Sequence, residues 1–462
     1  MKLKHIFIAL TIGFTSIFVF SCRKDENSID PQIQLNFDIM HWMYDEMDDV
    51  YYWNTTIPIY NSIKSETDPK VFFERLIYKP EDRWSWLTDD YAALMDEFAG
   101  TPTSMGIGSI PGRIGTSDTV IIIVTYVYSG SPADRAGIKR GDIIVKIDGQ
   151  EMDTSNYYSL FNQESYSVNL GSYYNGTISS FSNSISLATE TIDSNPVVFD
   201  TIFQFNNTKI GYLVYIEFIS GENDALLNDF GNRIDEMKSQ GVTDLILDLR
   251  YNPGGEISAA NYLASCIAPA TAVSDKNIFV KFKYNSNYQA LFESRPEYSP
   301  YLFDLFTDNG HNLNLNRVFF LTGQRSASAS ELLIIGLKPY MEVVKIGEQT
   351  YGKYTGAWVI TDNNFPPKHN WAIVPIVSKY SNSEDFTDFK DGLTPDYYIF
   401  DNLLQAKAFG DVADPILAKA IELITGQSLG IKKSLTSEIN FHSLVNPLQS
   451  IKSNLYLEKP EF

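Results

Sequence analysis

The chain reads as a multidomain α/β protein, and three observations point there. Its 462 residues are enough for two or three domains. With 44% hydrophobic, 14% aromatic and 20% charged residues, it can fill several cores. The hydrophobic pattern also changes period along the chain, from helical spacing, to short β-branched runs, to an alternation of the two. Strand-like and helix-like runs in alternation imply βαβ units and a mostly parallel sheet.

Taken in order, Lys2 and Lys4 precede an apolar run from Ile6 to Phe20. A basic region followed by an apolar one reads as an export signal, with a signal-anchor helix as the alternative. The run ends at Cys22, followed at once by polar "RKDENS". This resembles a bacterial lipobox, in which the cysteine is lipidated and becomes the first residue. The resemblance implies a signal peptide over 1–21, a membrane anchor at Cys22, a tether over 22–32 and a place in the cell envelope, on the outer membrane. "RKDE" is similar to the signal that sends some lipoproteins to its outer face. The other cysteine, Cys266, sits in apolar "NYLASCIAPA" and reads as a small buried residue. The formal net charge of −21, spread along the chain, excludes nucleic acid as a partner.

Residues 33–98 read as a small helical domain, because Ile39, Trp42, Met43, Met47 and Val50 recur at spacings of three and four. Residues 99–195 read as β-rich. Val120 to Val127 is a buried strand, Ser131-Pro132-Ala133 opens a short helix that stops at Gly137, and "GDIIVKIDGQ" is a strand closed by the Asp148-Gly149 turn. Residues 196–425 alternate. "TKIGYLVYIEF", "TDLILDLR", "NRVFFLT" and "EVVKIG" are strands. Between them lie a helix with Leu226, Phe230, Ile234 and Met237 on one face, a helix after "YNPGG", and the helix "SASELLIIGLKPYM". From Lys276 to Asn316 the sequence reads as loop and short helices, and residues 426–462 as a weakly patterned tail.

The stretch "RSASASE" places Ser326, Ser328 and Ser330 at alternate positions. A serine becomes a nucleophile only beside a base. His5, His41, His311, His369 and His442 lie in no local motif, so a triad would have to assemble in space. A lysine serves if burial lowers its pKa. Lys353 lies among Tyr351, Gly352, Tyr354 and Trp358, a setting that could desolvate an amine. Lys345, which alternates with strand residues, is a weaker candidate.

"GSPADRAGIKRGDIIVKIDG", with the loop Gly106-Ile107-Gly108 before a strand, resembles a PDZ domain. That implies capture of extended peptide ends, with the amides of Gly106, Ile107 and Gly108 holding a carboxylate. "DLILDLRYNPGG", "FFLTGQRSASASELL", "IGEQTYGK" and "DGLTPDYY", in this order and followed by "GDVADPILAKAIELI", resemble the carboxy-terminal processing (tail-specific) serine proteases over roughly residues 100 to 425. The resemblance implies a core of the crotonase or Clp-protease type and a Ser-Lys dyad whose members lie 25 residues apart. Counted back from Lys353, that spacing selects Ser328. Ser326 then falls in the turn, and Ser330 in the first helical turn.

Ser328 would open a helix and face its positive end. The Ala329 amide, with that of Gly254 or Gly255, would form the oxyanion hole. Ala357 and Pro339 stand where family members carry a helper glutamine or aspartate, so Glu331 becomes the candidate support for Lys353. Arg250 and Asp248 read as structural. The implied activity is endopeptidase action on unfolded or C-terminally exposed polypeptides, without metal or cofactor. The alternative is a catalytically inactive peptide- or ligand-binding envelope lipoprotein on the same fold.

Overall fold

The computed structural model describes residues 30–174, 177–364, 367–387, 389–430, 441–444 and 455–457. The signal and Cys22 lie outside the described residues.

The helix Pro31–Val50 begins at Asp30, whose carboxylate accepts the Gln32 N–H at 2.8 Å, with proline at the first helical position. It buries Ile39, Met40, Met43, Met47 and Val50. Met40 takes the buried place expected for Trp42, which is half-buried against the His369 ring. These residues, with Phe72 and Phe73 of the helix Pro69–Leu76, belong to one apolar cluster with the α/β core that follows the β-rich domain. The strand Trp86–Thr88 pairs antiparallel with Ala372–Val374. The helical N-terminal domain therefore packs as a wall against the core and shares its interior.

The β-rich domain has its own interior, built around Val120, Ile122, Val124, Ile144 and Ile147. Its sheet runs in the order Ile107–Ile114, Thr119–Val127, Gln150–Asp153, Ile143–Ile147, Ser165–Tyr174, Thr177–Ala188. Asp148 and Gly149 both have positive φ (50° and 74°), as the tight turn requires.

The core carries a six-stranded sheet in the order Val197–Phe205, Thr208–Tyr215, Asp244–Asp248, Arg317–Thr322, Glu342–Gly347, Tyr397–Tyr398. The first pair is antiparallel and the others are parallel. The helices Ala225–Ser239, Ile257–Ile267 and Ala329–Leu337 follow successive parallel strands. In the first of them Leu227 is buried where Leu226 was expected.

The stretch expected as loop and short helices contains a strand, Ile278–Tyr284, in a second, five-stranded sheet. Its partner Ile376–Ser381 lies far along the chain, so a non-local pairing fixes it. The tail likewise contributes two short strands, Phe441–Ser443 and Leu455–Leu457. Three residues are too few to show a period.

Candidate active site

In an open parallel sheet, the loops leaving the carboxyl ends of neighbouring strands converge, and a crevice forms there. Three such loops meet here: Leu249–Gly255 after Asp244–Asp248, Gly323–Ser328 after Arg317–Thr322, and Glu348–Lys353 after Glu342–Gly347. Backbone bonds sew them together. The Ala327 N–H donates to the Asn252 carbonyl at 3.1 Å, and the Tyr351 N–H donates to the Ser326 carbonyl at 2.9 Å.

The three alternating serines are not equivalent. Ser326 Oγ donates to the Leu249 carbonyl at 2.8 Å, and Ser330 Oγ donates to the Asn252 carbonyl at 3.1 Å. Both fasten the helix entry to the glycine loop. Ser328 Oγ is buried and has no hydrogen-bond partner among the described residues. Ser328 also carries the strained backbone, with φ 60° and ψ −113°, as it opens the helix Ala329–Leu337. A non-glycine residue holds such angles only where its surroundings over-determine them.

Glu331 supplies that determination. Its fully buried carboxylate accepts four hydrogen bonds. Oε2 takes the amides of Ser328 and Lys353, each at 2.8 Å; Oε1 takes the Gly352 amide at 2.7 Å and the Thr350 hydroxyl at 2.5 Å. One side chain thus holds the serine turn and the lysine loop together. Burial pushes its carboxyl up to about 7, against the pull of the four donors. The Tyr380 hydroxyl forms a second tie, within hydrogen-bond reach of the carbonyls of both Ser328 and Lys353.

Lys353 is fully buried, and that burial lowers its pKa well below the ordinary lysine value. Two carboxylates oppose the shift by favouring the ammonium form, Asp82 first and then Glu331. Asp82 comes from the N-terminal wall. It is held by the Tyr51 hydroxyl at 2.6 Å and by the amides of Trp84 and Ser85, both at 2.9 Å. The next residues press the wall onto the lysine loop: Trp84 meets Tyr354 edge-on at 5.9 Å, and Ser85 Oγ accepts the Ile376 N–H at 2.9 Å.

The glycine turn closes the other side. A Cβ on Gly254 would stand 2.6 Å from Ser328 Cβ and 3.0 Å from the Ala329 nitrogen, so only glycine admits this approach. The Gly254 N–H is committed to Asn252 Oδ1 at 2.8 Å, while the Gly255 N–H has no such partner among the described residues. Behind the turn, Arg250 is fully buried. It pairs with Asp248 at 2.7 Å, Asp414 at 2.9 Å and Asp401 at 3.4 Å. Burial alone would lower its pKa, and the three carboxylates hold it well above the usual arginine value.

Ser328, Ala329, Glu331, Lys353, Gly254 and Gly255 therefore come together. Gly106, Ile107 and Gly108 belong to the β-rich domain. The Gly106 N–H donates to Ser104 Oγ at 3.0 Å, and Ile107 and Gly108 are paired in register with Val127 and Tyr126. Ala357 is buried in the strand Thr355–Trp358. Sequence reasoning missed Asp82, Tyr380 and the Asn252 side chain. Asn252 lies within "DLILDLRYNPGG" and could have been found there; the other two lie far from the serine in sequence, within no motif.

A model described as peptidase family S41 matches residues 209–399, one described as the peptidase S41 N-terminal domain matches 38–86, and a PDZ domain model matches 123–165. A carboxyl-terminal-processing protease of Picosynechococcus is 26% identical over 342 residues, 73% of this chain and 74% of that one. A carboxy-terminal processing protease of Bacillus subtilis is 25% identical over 305 residues, 64% of this chain and 58% of that one. A crystal structure from Bacteroides fragilis, assigned to the S41 proteases, superposes with a TM-score of 0.69 at 25% identity, covering 83% of this chain and 97% of the other. Fold, site and relatives together define a serine peptidase with an attached PDZ domain. More narrowly, its core and its N-terminal domain match peptidase family S41, and the relatives it resembles are carboxyl-terminal-processing proteases.

Proposed function

We propose that the chain is a Ser-Lys endopeptidase that cuts unfolded or C-terminally exposed polypeptides. Glu331 carries this reading: one buried carboxylate holds the amides of Ser328 and Lys353, so the two side chains start from a shared anchor. A neutral Lys353 amine takes the Ser328 proton as Oγ attacks the scissile carbonyl. It then returns that proton to the leaving amine, and water releases the acyl group by the same exchange. The Ala329 and Gly255 amides are the donors left over to receive the oxyanion, because the Gly254 amide is already committed to Asn252. The PDZ domain presents the polypeptide.

The test is cleavage of a reduced, unfolded protein by the wild type, Ser328→Ala and Lys353→Ala. Both variants should lose nearly all activity. Substantial cleavage by Lys353→Ala at neutral pH would remove the lysine from its role. Inactivity of the wild type as well would favour a peptide-binding protein, for which Ala357 at the helper position speaks.

The same proposal places the protein in the cell envelope, on the outer membrane, anchored by lipid on Cys22. The basic and apolar character of residues 1–21 supports this. Metabolic labelling with an alkyne fatty acid should mark the wild type and not Cys22→Ala.

A further inference from the structure

Two facts describe a closed molecule. Ser328 and Lys353 have no exposed surface, and the far half of the PDZ strand Ile107–Ile114, from Pro111 to Ile114, already carries a strand on its outer edge.

An extended peptide joins a PDZ domain as an added strand on an unpaired edge. Within the domain, the strand Ile107–Ile114 pairs only with Thr119–Val127. Its other edge holds the chain's own Phe441–Ser443, running antiparallel, with Phe441 opposite Ile114, His442 opposite Arg113 and Ser443 opposite Gly112. The Leu444 N–H continues the ladder to the Pro111 carbonyl at 2.8 Å.

The fit extends to side chains. Leu444 packs on the domain's main core, and Phe441 joins the smaller cluster of Ile121, Ile123 and Leu404. A Cβ on Gly112 would stand 2.3 Å from the Phe441 ring and 2.9 Å from the His442 carbonyl, so a glycine is needed at this seat. Phe441 and Ser443 also border a cavity of about 130 Å³ that reaches Tyr251, Arg325 and Asp401 behind the glycine turn. Further along, Leu455–Leu457 pairs in parallel with Gly356–Trp358, the strand that leaves Lys353. It runs close to the helix Ile257–Ile267 that leaves Gly254 and Gly255.

We propose that the C-terminal tail is an intramolecular plug. Residues 441–444 cover the far half of the PDZ edge, residues 455–457 cover the edge beside the lysine loop, and a polypeptide substrate gains the site by displacing both. The inference rests on the peptidase reading of Ser328 and Lys353. It also defines the ligand class: an extended internal segment with large apolar side chains three positions apart, as Phe441 and Leu444 are, with no free carboxyl end required.

The test compares the full chain, a chain ending at Gly430 that keeps Asp414 and the helix Pro415–Thr425, and a full chain carrying Leu444→Asp, which leaves every PDZ residue in place. In a Ser328→Ala background, a fluorescent peptide spanning residues 438–447 is titrated by anisotropy. Both released forms should bind at least about tenfold more tightly than the full chain, because a tethered strand competes at an effective concentration of about millimolar. Equal binding by all three overturns the plug, whether or not any form cleaves. In the active background, both released forms should cleave a reduced, unfolded protein faster, and unchanged rates overturn the inhibitory role. Absence of cleavage in every form overturns the peptidase reading, and the binding arm then decides the plug alone. If the shortened chain does not fold, Leu444→Asp gives both answers.

Discussion

The Glu331 carboxylate and the Lys353 backbone meet at 2.8 Å, and the same carboxylate oxygen holds the Ser328 amide. The spacing of the proposed Ser328–Lys353 pair is thus set through the main chain on both sides. Glu331→Ala leaves three buried amides without an acceptor, and each such loss costs about 1–3 kcal/mol. We expect a stability loss of about 3 kcal/mol or more by denaturant titration, and a fall in kcat of at least about 100-fold from lost alignment. A variant with wild-type turnover would show that the anchor is dispensable.

Activity should rise with pH through neutrality. Lys353 is depressed, so its amine is neutral above its lowered pKa, and Glu331, pushed up to about 7, is a full acceptor only above that value. Stability runs the other way at Glu331. Its folded value exceeds the unfolded 4.5, so the stabilisation from its protonated form is complete below 4.5 and is lost as pH climbs through about 7. Glu331→Gln should flatten the stability-against-pH curve across that window, as read from thermal midpoints. An unaltered slope would assign it to other groups.

Asp82 acts on the lysine from the N-terminal wall. Removing its charge withdraws support for the ammonium form, so Asp82→Asn should move the rising limb of the pH–rate profile to lower pH. The asparagine Oδ1 can keep the amides of Trp84 and Ser85, while its NH2 replaces the oxygen that accepted from Tyr51, so the fold should persist with the loss of that one bond. A limb that stays in place, with the thermal midpoint unchanged, would limit Asp82 to a structural role.

Gly254→Ala should fold and fail to turn over. The added methyl meets Ser328 Cβ and the Ala329 amide at a φ of 112°, displacing an oxyanion donor. Loss of one such donor costs about 100- to 1,000-fold in kcat. A rate within tenfold of wild type would put the oxyanion elsewhere, a margin far inside that about 100-fold expectation.

The parts legible in the sequence were those whose signal is local. The alternation of strands and helices from Thr208 to Gly347 was readable, because each segment shows its own period. The choice of Ser328 from three serines came from a family spacing; in the structure Ser326 and Ser330 bond neighbouring carbonyls and Ser328 Oγ does not. What stayed hidden is non-local. The strand Ile278–Tyr284 gains its identity from a partner about a hundred residues on, as the register of Lys281 with Ser381 shows. Asp82 and Tyr380 reach the site through tertiary packing, and nothing in their neighbours announces it. The tail strands are too short for any period, and only their edges define them.

Arg250 lies in the loop Leu249–Gly255 that forms the glycine turn, yet its partner Asp401 lies 151 residues later and Asp414 later still. A chain is made from its N-terminus, so for most of its synthesis this arginine lacks two of the three carboxylates that make its burial tolerable. A nascent copy interrupted before Asp401 has its serine and its lysine but no settled place for the turn that completes the site. The order of manufacture thus leaves this turn unfinished until Asp401 and Asp414 have been added.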